Sequence, residues 1–547
     1  MRSQSRHGLG RPLTLTVAVM ALTLTPLAEA AAQKIRGDGP RITSPGSNSI
    51  RSSGGGMRQP GGGGGMRQPG GGMRGGYDGG GGPRWGGIAA GVATGIILGI
   101  ATSSAANNPP PGPPPQQRSS GPRGPSAPRN AINIPPANEQ RFVRDEVVIE
   151  FAGNYSPQAL AALAARHRLA ALETLNIQLT NSTYFRGRIT DGRAVRNVLR
   201  ELGNEASLRS GQPNYLYRFA QQASAESSAA TFVPPPSATP AVTPVVATAG
   251  VIPAKAGDPA QYMMSKLRLS EAHSLARGNN VLVAVIDSGV DAGHPEFGGL
   301  IAGTFDALGT GEGPHTHGTA IAGAIVSHSR LMGVAPAARI LAIRAFATSG
   351  ATAEATTFAI LKGIDHAAAQ GARVINMSFA GPADPGLSRQ LLSARGKGIV
   401  LIAAAGNLGP KSPPQYPAAD PNVIAVTATD ADDKLFQASN RGNHIAVAAP
   451  GVDILLPAPN SNYQVISGTS FAAAHVSGIA ALILERKPGL SPDHVRRILL
   501  STARDLGPRG KDDQFGAGLA DAYQAILALE PKTAGGSVPA PRPVSAR

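Results

Sequence analysis

At 547 residues the chain is too long for one compact domain, so more than one folded unit with linking segments is expected. The absence of cysteine excludes disulfides, thiolate metal sites and a cysteine-linked lipid anchor. The net charge of +16 suggests a nucleic-acid partner, but residues 1–140 hold 14 Lys or Arg against 4 Asp or Glu, so most of the excess sits in that segment and no nucleic acid is expected.

Residues 1–32 carry Arg2, Arg6 and Arg11, then an uncharged stretch from Pro12 to Ala28, then small-residue cleavage options at Ala28-Glu29-Ala30 and Ala30-Ala31-Ala32. This pattern predicts a signal peptide and export to the extracellular space or cell envelope; an N-terminal membrane helix is the other reading. Residues 33–85 repeat GGGMRQP, GGGMRQP and GGGMRGG, a composition too poor in apolar side chains to offset chain entropy. They predict a disordered tract, either a solvated spacer or a basic contact with an anionic envelope surface. In residues 86–106, Gly87, Gly91, Gly95 and Gly99 recur every four positions beside Ile88, Val92, Ile96 and Ile100. That spacing fits a membrane-inserted or self-associating helix, a possible membrane contact, or else a flexible apolar linker. Residues 107–140 are a Pro-rich extended linker.

Residues 141–219 have the texture of a folded domain. FVRDEVVIEFA reads as a strand, SPQALAALAARHRL as a helix with a Ser cap, ETLNIQLTN and TYFRGRIT as strands, GRAVRNVLRELG as a helix and NYLYRF as a last strand. The order β-α-β-β-α-β predicts a small α+β ferredoxin-like sandwich. Residues 220–257 are an aperiodic Ala/Ser/Pro linker, and 528–547 a disordered tail. Between them, in 258–527, the runs VLVAVI, RILAIRAF, ARVINMS, IVLIAAA and NVIAVTA alternate with Ala-rich helical stretches. Such continuous apolar strands predict an α/β fold with a parallel sheet covered by helices on both faces.

Four polar residues interrupt this apolar texture. VLVAVIDSGVD ends a strand at Asp287, HGTAIAG opens a helix at His317, IVLIAAAGN ends a strand at Asn407, and GTSFAAAHVSG puts Ser470 at the start of an apolar helix. Carboxyl ends of strands and starts of helices are where such sheets hold catalytic groups. A serine needs a base, a group that orients the base, and donors for an oxyanion, and these residue types supply each. Each also has a local reading: Asp287 as a strand-end turn residue, His317 as a helix cap, Asn407 as a turn former, Ser470 as a cap. His315 competes with His317 as base, and His475 reads as structural.

The order Asp, His, Asn, Ser and the strings around it resemble the subtilisin-like serine peptidases (subtilases) over roughly residues 258–527. GVAPAARILAIRAF, ARVINMSFAG, YPAADPNVIAV and DDQFGAGLADAYQAI add to the likeness. The resemblance implies a secreted serine endopeptidase acting on protein or peptide substrates, with Asp287, His317 and Ser470 as catalytic triad and Asn407 as oxyanion donor. It implies that Ser378, Phe379, Ala380 and Gly381 pair with the substrate backbone, and that a pocket lies between this strand and Ala404 to Leu408, with Gln415 near its base. That pocket has no evident acid, so a neutral or apolar side chain is expected, with Ala380, where the family often has glycine, limiting large aromatics. Ala474 stands where the family usually has proline. The domain at 141–219 resembles by position a subtilisin-type propeptide, which would make the chain a self-processing precursor inhibited by its own propeptide; an unrelated binding module of the same fold is the alternative. Calcium is common in the family, but no acidic cluster here has a recognisable loop pattern, so no cofactor or metal site is expected. The rival reading of the whole chain is an envelope-associated interaction protein with an inactive protease-like scaffold.

Overall fold

The computed structural model describes residues 131–219, 257–349 and 352–530, all within one unit of the chain. The signal peptide, the Gly-rich tract, the apolar segment 86–106, most of both linkers and most of the C-terminal tail lie outside the described residues.

The amino-terminal domain comprises β1 (Ala131–Ile132), β2 (Phe142–Ala152), α1 (Pro157–Arg166), β3 (Leu169–Ile177), β4 (Ser182–Ile189), α2 (Val195–Leu202) and β5 (Ser210–Phe219). Ser156 starts α1 as read from the sequence, its Oγ accepting from the N–H of Ala159 at 3.2 Å. The sheet order is β3-β4-β2-β5, antiparallel throughout, with β1 joined in parallel to the start of β5. The β-α-β-β-α-β reading holds, but the domain begins before 141. Ile132 and Asn133 pair with Gly211, and Arg196 donates to the carbonyls of Pro135 and Pro136, so the last ten residues assigned to the linker are folded onto the sheet.

The larger domain opens with α3 (Met263–Lys266) and α4 (Leu269–His273), followed by β6 (Leu282–Asp287), β7 (Ile301–Asp306), α5 (Thr316–Val326) and β8 (Arg339–Arg344). Two short strands, β9 (Ala347–Ser349) and β10 (Thr352–Thr356), lead into α6 (Thr357–Ala369), β11 (Val374–Met377), β12 (Phe379–Ala380), α7 (Pro385–Gly396) and β13 (Val400–Ala404). The rest is β14 (Ile424–Thr429), β15 (Ile445–Pro450), a hairpin of β16 (Ile454–Ala458) and β17 (Asn462–Ile466), then α8 (Thr469–Arg486), α9 (Pro492–Thr502) and α10 (Ala522–Leu527). Its seven-stranded sheet runs β15-β14-β13-β11-β6-β8-β7, with every pair parallel.

Successive side chains of a strand point to opposite faces, and each buried strand here feeds two cores. Val283, Val285, Ile340, Val374, Val400 and Ile402 pack with α5 and α8, whereas Ala284, Ile286, Ile343, Ile375, Met377 and Leu401 pack with α6, α7 and the amino-terminal domain. Close approach of α8 to its neighbours rests on small residues, since a Cβ at Gly478 would fall 2.5 Å from Cβ of Val334. Ala474 is buried in the uninterrupted α8. Among the described residues no helix is long and apolar enough to cross a membrane.

Candidate active site

Asp287 is the last residue of β6 and is fully buried. Its Oδ1 accepts from the Ser288 N–H at 2.8 Å, from the Ser288 hydroxyl at 3.2 Å, and from Nδ1 of His317 at 2.8 Å. A carboxylate only accepts, so the proton of this last bond sits on Nδ1 and leaves Nε2 of His317 as a base. His317 is the second residue of α5. The helix starts there because His315 caps it, its Nδ1 accepting from the His317 N–H at 3.2 Å. Gly318 follows of necessity, because a Cβ there would lie 2.6 Å from the Ser288 carbonyl oxygen and push α5 away from Asp287.

Ser470 is the second residue of α8. Its Oγ donates to the Ser378 carbonyl at 3.3 Å, while Oγ of Ser378 donates to the Ser470 carbonyl at 3.1 Å and accepts from Asn376 at 2.8 Å. Nε2 of His317 is buried and has no hydrogen-bond partner. The Asp–His half is therefore formed, and the serine hydroxyl is turned toward Ser378.

Asn407 lies three residues beyond β13. Its Oδ1 accepts from the N–H of Thr469 at 3.1 Å and from the Thr469 hydroxyl at 2.7 Å. A backbone N–H cannot accept, so this contact fixes the amide orientation and turns Nδ2 away, buried and unpaired. A Cβ at Gly468 would sit 3.1 Å from that nitrogen, so glycine keeps the space in front of it open. The loop bearing Asn407 turns at Gly406, whose φ of +105° suits glycine, and is held by Asn440. The Asn440 side chain donates to the Ala405 carbonyl at 2.9 Å and accepts from the Leu408 N–H at 2.9 Å. No motif in the sequence singles out Asn440, because its partners lie more than thirty positions away.

The segment expected to receive substrate is occupied by the chain's own amino-terminal domain. The end of β5 runs antiparallel between β10 and β12, with Arg218 opposite both Glu354 and Ala380, and Phe219 opposite Phe379. Phe219 stacks on the His317 ring, centroids 4.0 Å apart and planes at 14°, and packs against Phe346 at 4.7 Å. Arg218 pairs with Glu354 at 2.6 Å, and Tyr217 is wholly buried. Sequence reasoning missed both aromatic residues because their partners belong to a different domain.

The other expected substrate residues are dispersed in their contacts. Gly381 exchanges backbone hydrogen bonds with Tyr416 at 2.8 and 3.0 Å. Ala404 is buried at the end of β13, and Leu408 is exposed. Gln415 accepts from Nη1 of Arg141 at 2.7 Å, a tie to the amino-terminal domain. His315 serves as a cap, and burial followed by the neighbouring His317 holds it below the ordinary histidine pKa. His475 bonds the Pro450 carbonyl at 2.8 Å inside α8, and burial pushes it down to about 4, as suits a structural residue. Among the described residues no three His, Asp or Glu side chains group as a metal site. The buried Glu296 carboxylate accepts from the N–H groups of Ser329, Arg330 and Leu331.

Residues 278–518 match the profile of the Subtilase family of peptidases. Thermitase from Thermoactinomyces vulgaris is 36% identical over 274 residues, which cover 49% of this chain and 95% of that enzyme. Subtilisin DY from Bacillus licheniformis is 39% identical over 241 residues, covering 42% and 86%. Fervidolysin from Fervidobacterium pennivorans, described as a keratinolytic enzyme related to subtilisin, has a similar fold, with a TM-score of 0.60 at 23% identity over 74% of this chain and 64% of its own. Sheet topology, sequence profile and the extent of the matching relatives agree that this chain belongs to the subtilase family, as a subtilisin-like serine endopeptidase.

Proposed function

We propose that the chain is the precursor of an exported endopeptidase, with Ser470 as nucleophile, His317 as base, Asp287 as its orienting carboxylate and Asn407 as oxyanion donor, and with residues 131–219 as inhibitory propeptide. The observation that carries this reading is β5, an extended strand in the cleft that brings Phe219 onto His317.

In the proposed reaction the Ser470 hydroxyl leaves the Ser378 carbonyl and gives its proton to Nε2 of His317 as Oγ bonds to the scissile carbonyl carbon. The carbonyl oxygen becomes an oxyanion and accepts from Nδ2 of Asn407 and from the N–H of Ser470, a first-turn donor with no acceptor inside its own helix. Collapse breaks the C–N bond, and the departing amine takes the proton from His317. Water then attacks the acyl-enzyme by the same route, returning the proton to Ser470. Asp287 stabilises the imidazolium in both halves.

Self-processing is part of the same proposal. β5 presents Phe219 at His317, and the next residue, Ala220, opens the aperiodic linker expected at 220–257. A cut in that linker, after Ala220, frees the protease domain from everything before it. Residues 1–32 direct export, and residues 86–106 hold the precursor at the membrane until the cut.

The test uses intact mass, N-terminal sequencing and a fluorophosphonate probe on the full chain. Wild type should begin at or shortly after Gln221 and take up the probe; Ser470→Ala should stay uncut and unlabelled, with hydrolysis reduced by about 10⁶-fold. Identical processing of the mutant means another protease makes the cut. Absence of labelling in processed wild type favours the inactive-scaffold reading. Asn407→Ala separates the oxyanion role from the triad: kcat should fall by about 10² to 10³ with KM little changed. A raised KM at constant kcat would instead make Asn407 a binding residue.

A further inference from the structure

Two residues before Phe219, the ring of Tyr217 fills a closed pocket in the protease domain. One face lies on Gly381, where an added Cβ would overlap the ring, and Phe379 meets its edge with centroids 5.8 Å apart. At the base, the Tyr217 hydroxyl stands 3.2 Å from Oδ2 of Asp384 and 3.4 Å from the Pro382 carbonyl. Asp384 is itself buried, at 4% exposure. Only part of its bonding comes from its own domain: Oδ1 accepts from the Leu387 N–H at 2.9 Å, capping α7, and Oδ2 accepts from the Thr357 hydroxyl at 2.6 Å. The other two donors, Tyr217 and Nε2 of Gln212 at 2.6 Å, come from the amino-terminal domain.

We infer that Asp384 makes this pocket a tyrosine-selective subsite, so that the protease prefers substrates with tyrosine two residues before the side chain that stacks on His317. The inference rests on the reading of β5 as an occupant of the substrate groove. Phenylalanine would fill the same volume but set a ring edge against Oδ2 of Asp384, leaving that oxygen only the Thr357 hydroxyl, and the loss of a hydrogen bond to a buried carboxylate discriminates more strongly than a difference in apolar area. Tyrosine keeps its proton here, because burial and then Asp384 raise its pKa well above the ordinary value, so it donates at any working pH. Gly381 supplies the room and Asp384 the specificity. Neither position takes part in the proposed bond-breaking steps.

The experiment compares peptides carrying Tyr-Arg-Phe-Ala, Phe-Arg-Phe-Ala and Arg-Arg-Phe-Ala before a reporter amine, cleaved by active enzyme matured from the full chain. The Tyr peptide should exceed the Phe peptide in kcat/KM by about 10- to 100-fold. Asp384→Asn retains an oxygen for capping α7 and should bring the two within about threefold. Gly381→Ala, at a position of ordinary φ, should instead depress both aromatic peptides together. Equal rates for Tyr and Phe in wild type, with cleavage after Ala, overturn the tyrosine subsite and leave the groove reading intact. A preference for the Arg peptide also overturns it, making Asp384 a cation site. If none is cut after Ala while a protein substrate is degraded, the groove reading fails and the inference with it.

Discussion

The two faces of the amino-terminal sheet are both buried, yet they are built of different materials. Val147, Ile149 and Phe151 of β2 point to one side, where Leu160, Leu163, Val198 and Leu199 of α1 and α2 complete an apolar core. Their neighbours Glu146 and Glu150 point to the other side, toward α6 and α7 of the protease domain, and are equally buried. Glu146 accepts from Arg186 and Asn214, and Oδ1 of Asn214 accepts in turn from the Phe358 N–H at the start of α6 at 3.2 Å. Glu150 accepts from Ser182 and Ser210 and pairs with Arg389 of α7. Gln212 accepts from the Gly386 N–H at 2.9 Å. The helix-facing side thus resembles a domain core, whereas the protease-facing side mixes buried apolar residues such as Val148 and Tyr184 with hydrogen bonds that cap two helices of its partner. Such an interface tolerates separation because its polar groups return to water.

The largest effect expected from this contrast is on the apolar side. Leu199→Ala, at a fully buried position, should destabilise the amino-terminal domain by about 2–5 kcal/mol. In the Ser470→Ala full chain, hydrogen exchange should quicken throughout β2, β4 and β5 and leave the seven-stranded sheet protected. Equal loosening of both domains would mean that they fold as one unit and that the contrast has no energetic content.

A smaller effect belongs to the polar side. Arg389→Ala removes one of several partners of Glu150, and the cost should be about 2 kcal/mol, since Ser182, Ser210 and Arg209 remain. The amides of Phe358 and Gly386, which report on the interface, should exchange roughly 10- to 100-fold faster, while those beneath α2 hold. Loss of protection beneath α2 would show that Arg389 supports the fold and not the interface.

How much of this the sequence discloses depends on the range of the interactions. Asp287, His317, Asn407 and Ser470 are legible because each sits in a short string whose chemistry is local, and β6, β8, β11, β13 and β14 because continuous apolar runs can only be central strands. β7 and β15 are missed: IAGTFD is short and half-buried at a sheet edge, and IAVAAP is Ala-rich and ambiguous in period. Pro457 obscures the hairpin strand β16. Asn440, Phe219 and the Tyr217–Asp384 contact leave no trace in any window, because each joins segments tens to hundreds of residues apart.

The smallest effect is one of pH, and it probes the polar side without a mutation. Burial alone would raise the Glu146 pKa, but Arg186, Asn214 and Arg188 together hold it below the ordinary 4.5. A carboxylate depressed in the folded state stabilises that state fully above its unfolded pKa and progressively less as pH falls through the folded value. All three partners belong to the amino-terminal domain, so the linkage is to folding of that domain before it is to its contact with the protease. At pH 4.5 the unfolded chain is half protonated at this site and the folded one less so, which lowers the folding constant by up to about twofold from Glu146. Between pH 6 and 8 Glu146 contributes no slope. Urea midpoints of the Ser470→Ala full chain, followed in the amino-terminal domain, should therefore be flat above pH 6 and decline below 5, and Glu146→Gln should remove part of that decline. A mutant with an unchanged acid limb would show that the protons are taken up elsewhere and that the buried carboxylate is neutral to stability, which would leave the polar face defined by hydrogen bonds alone.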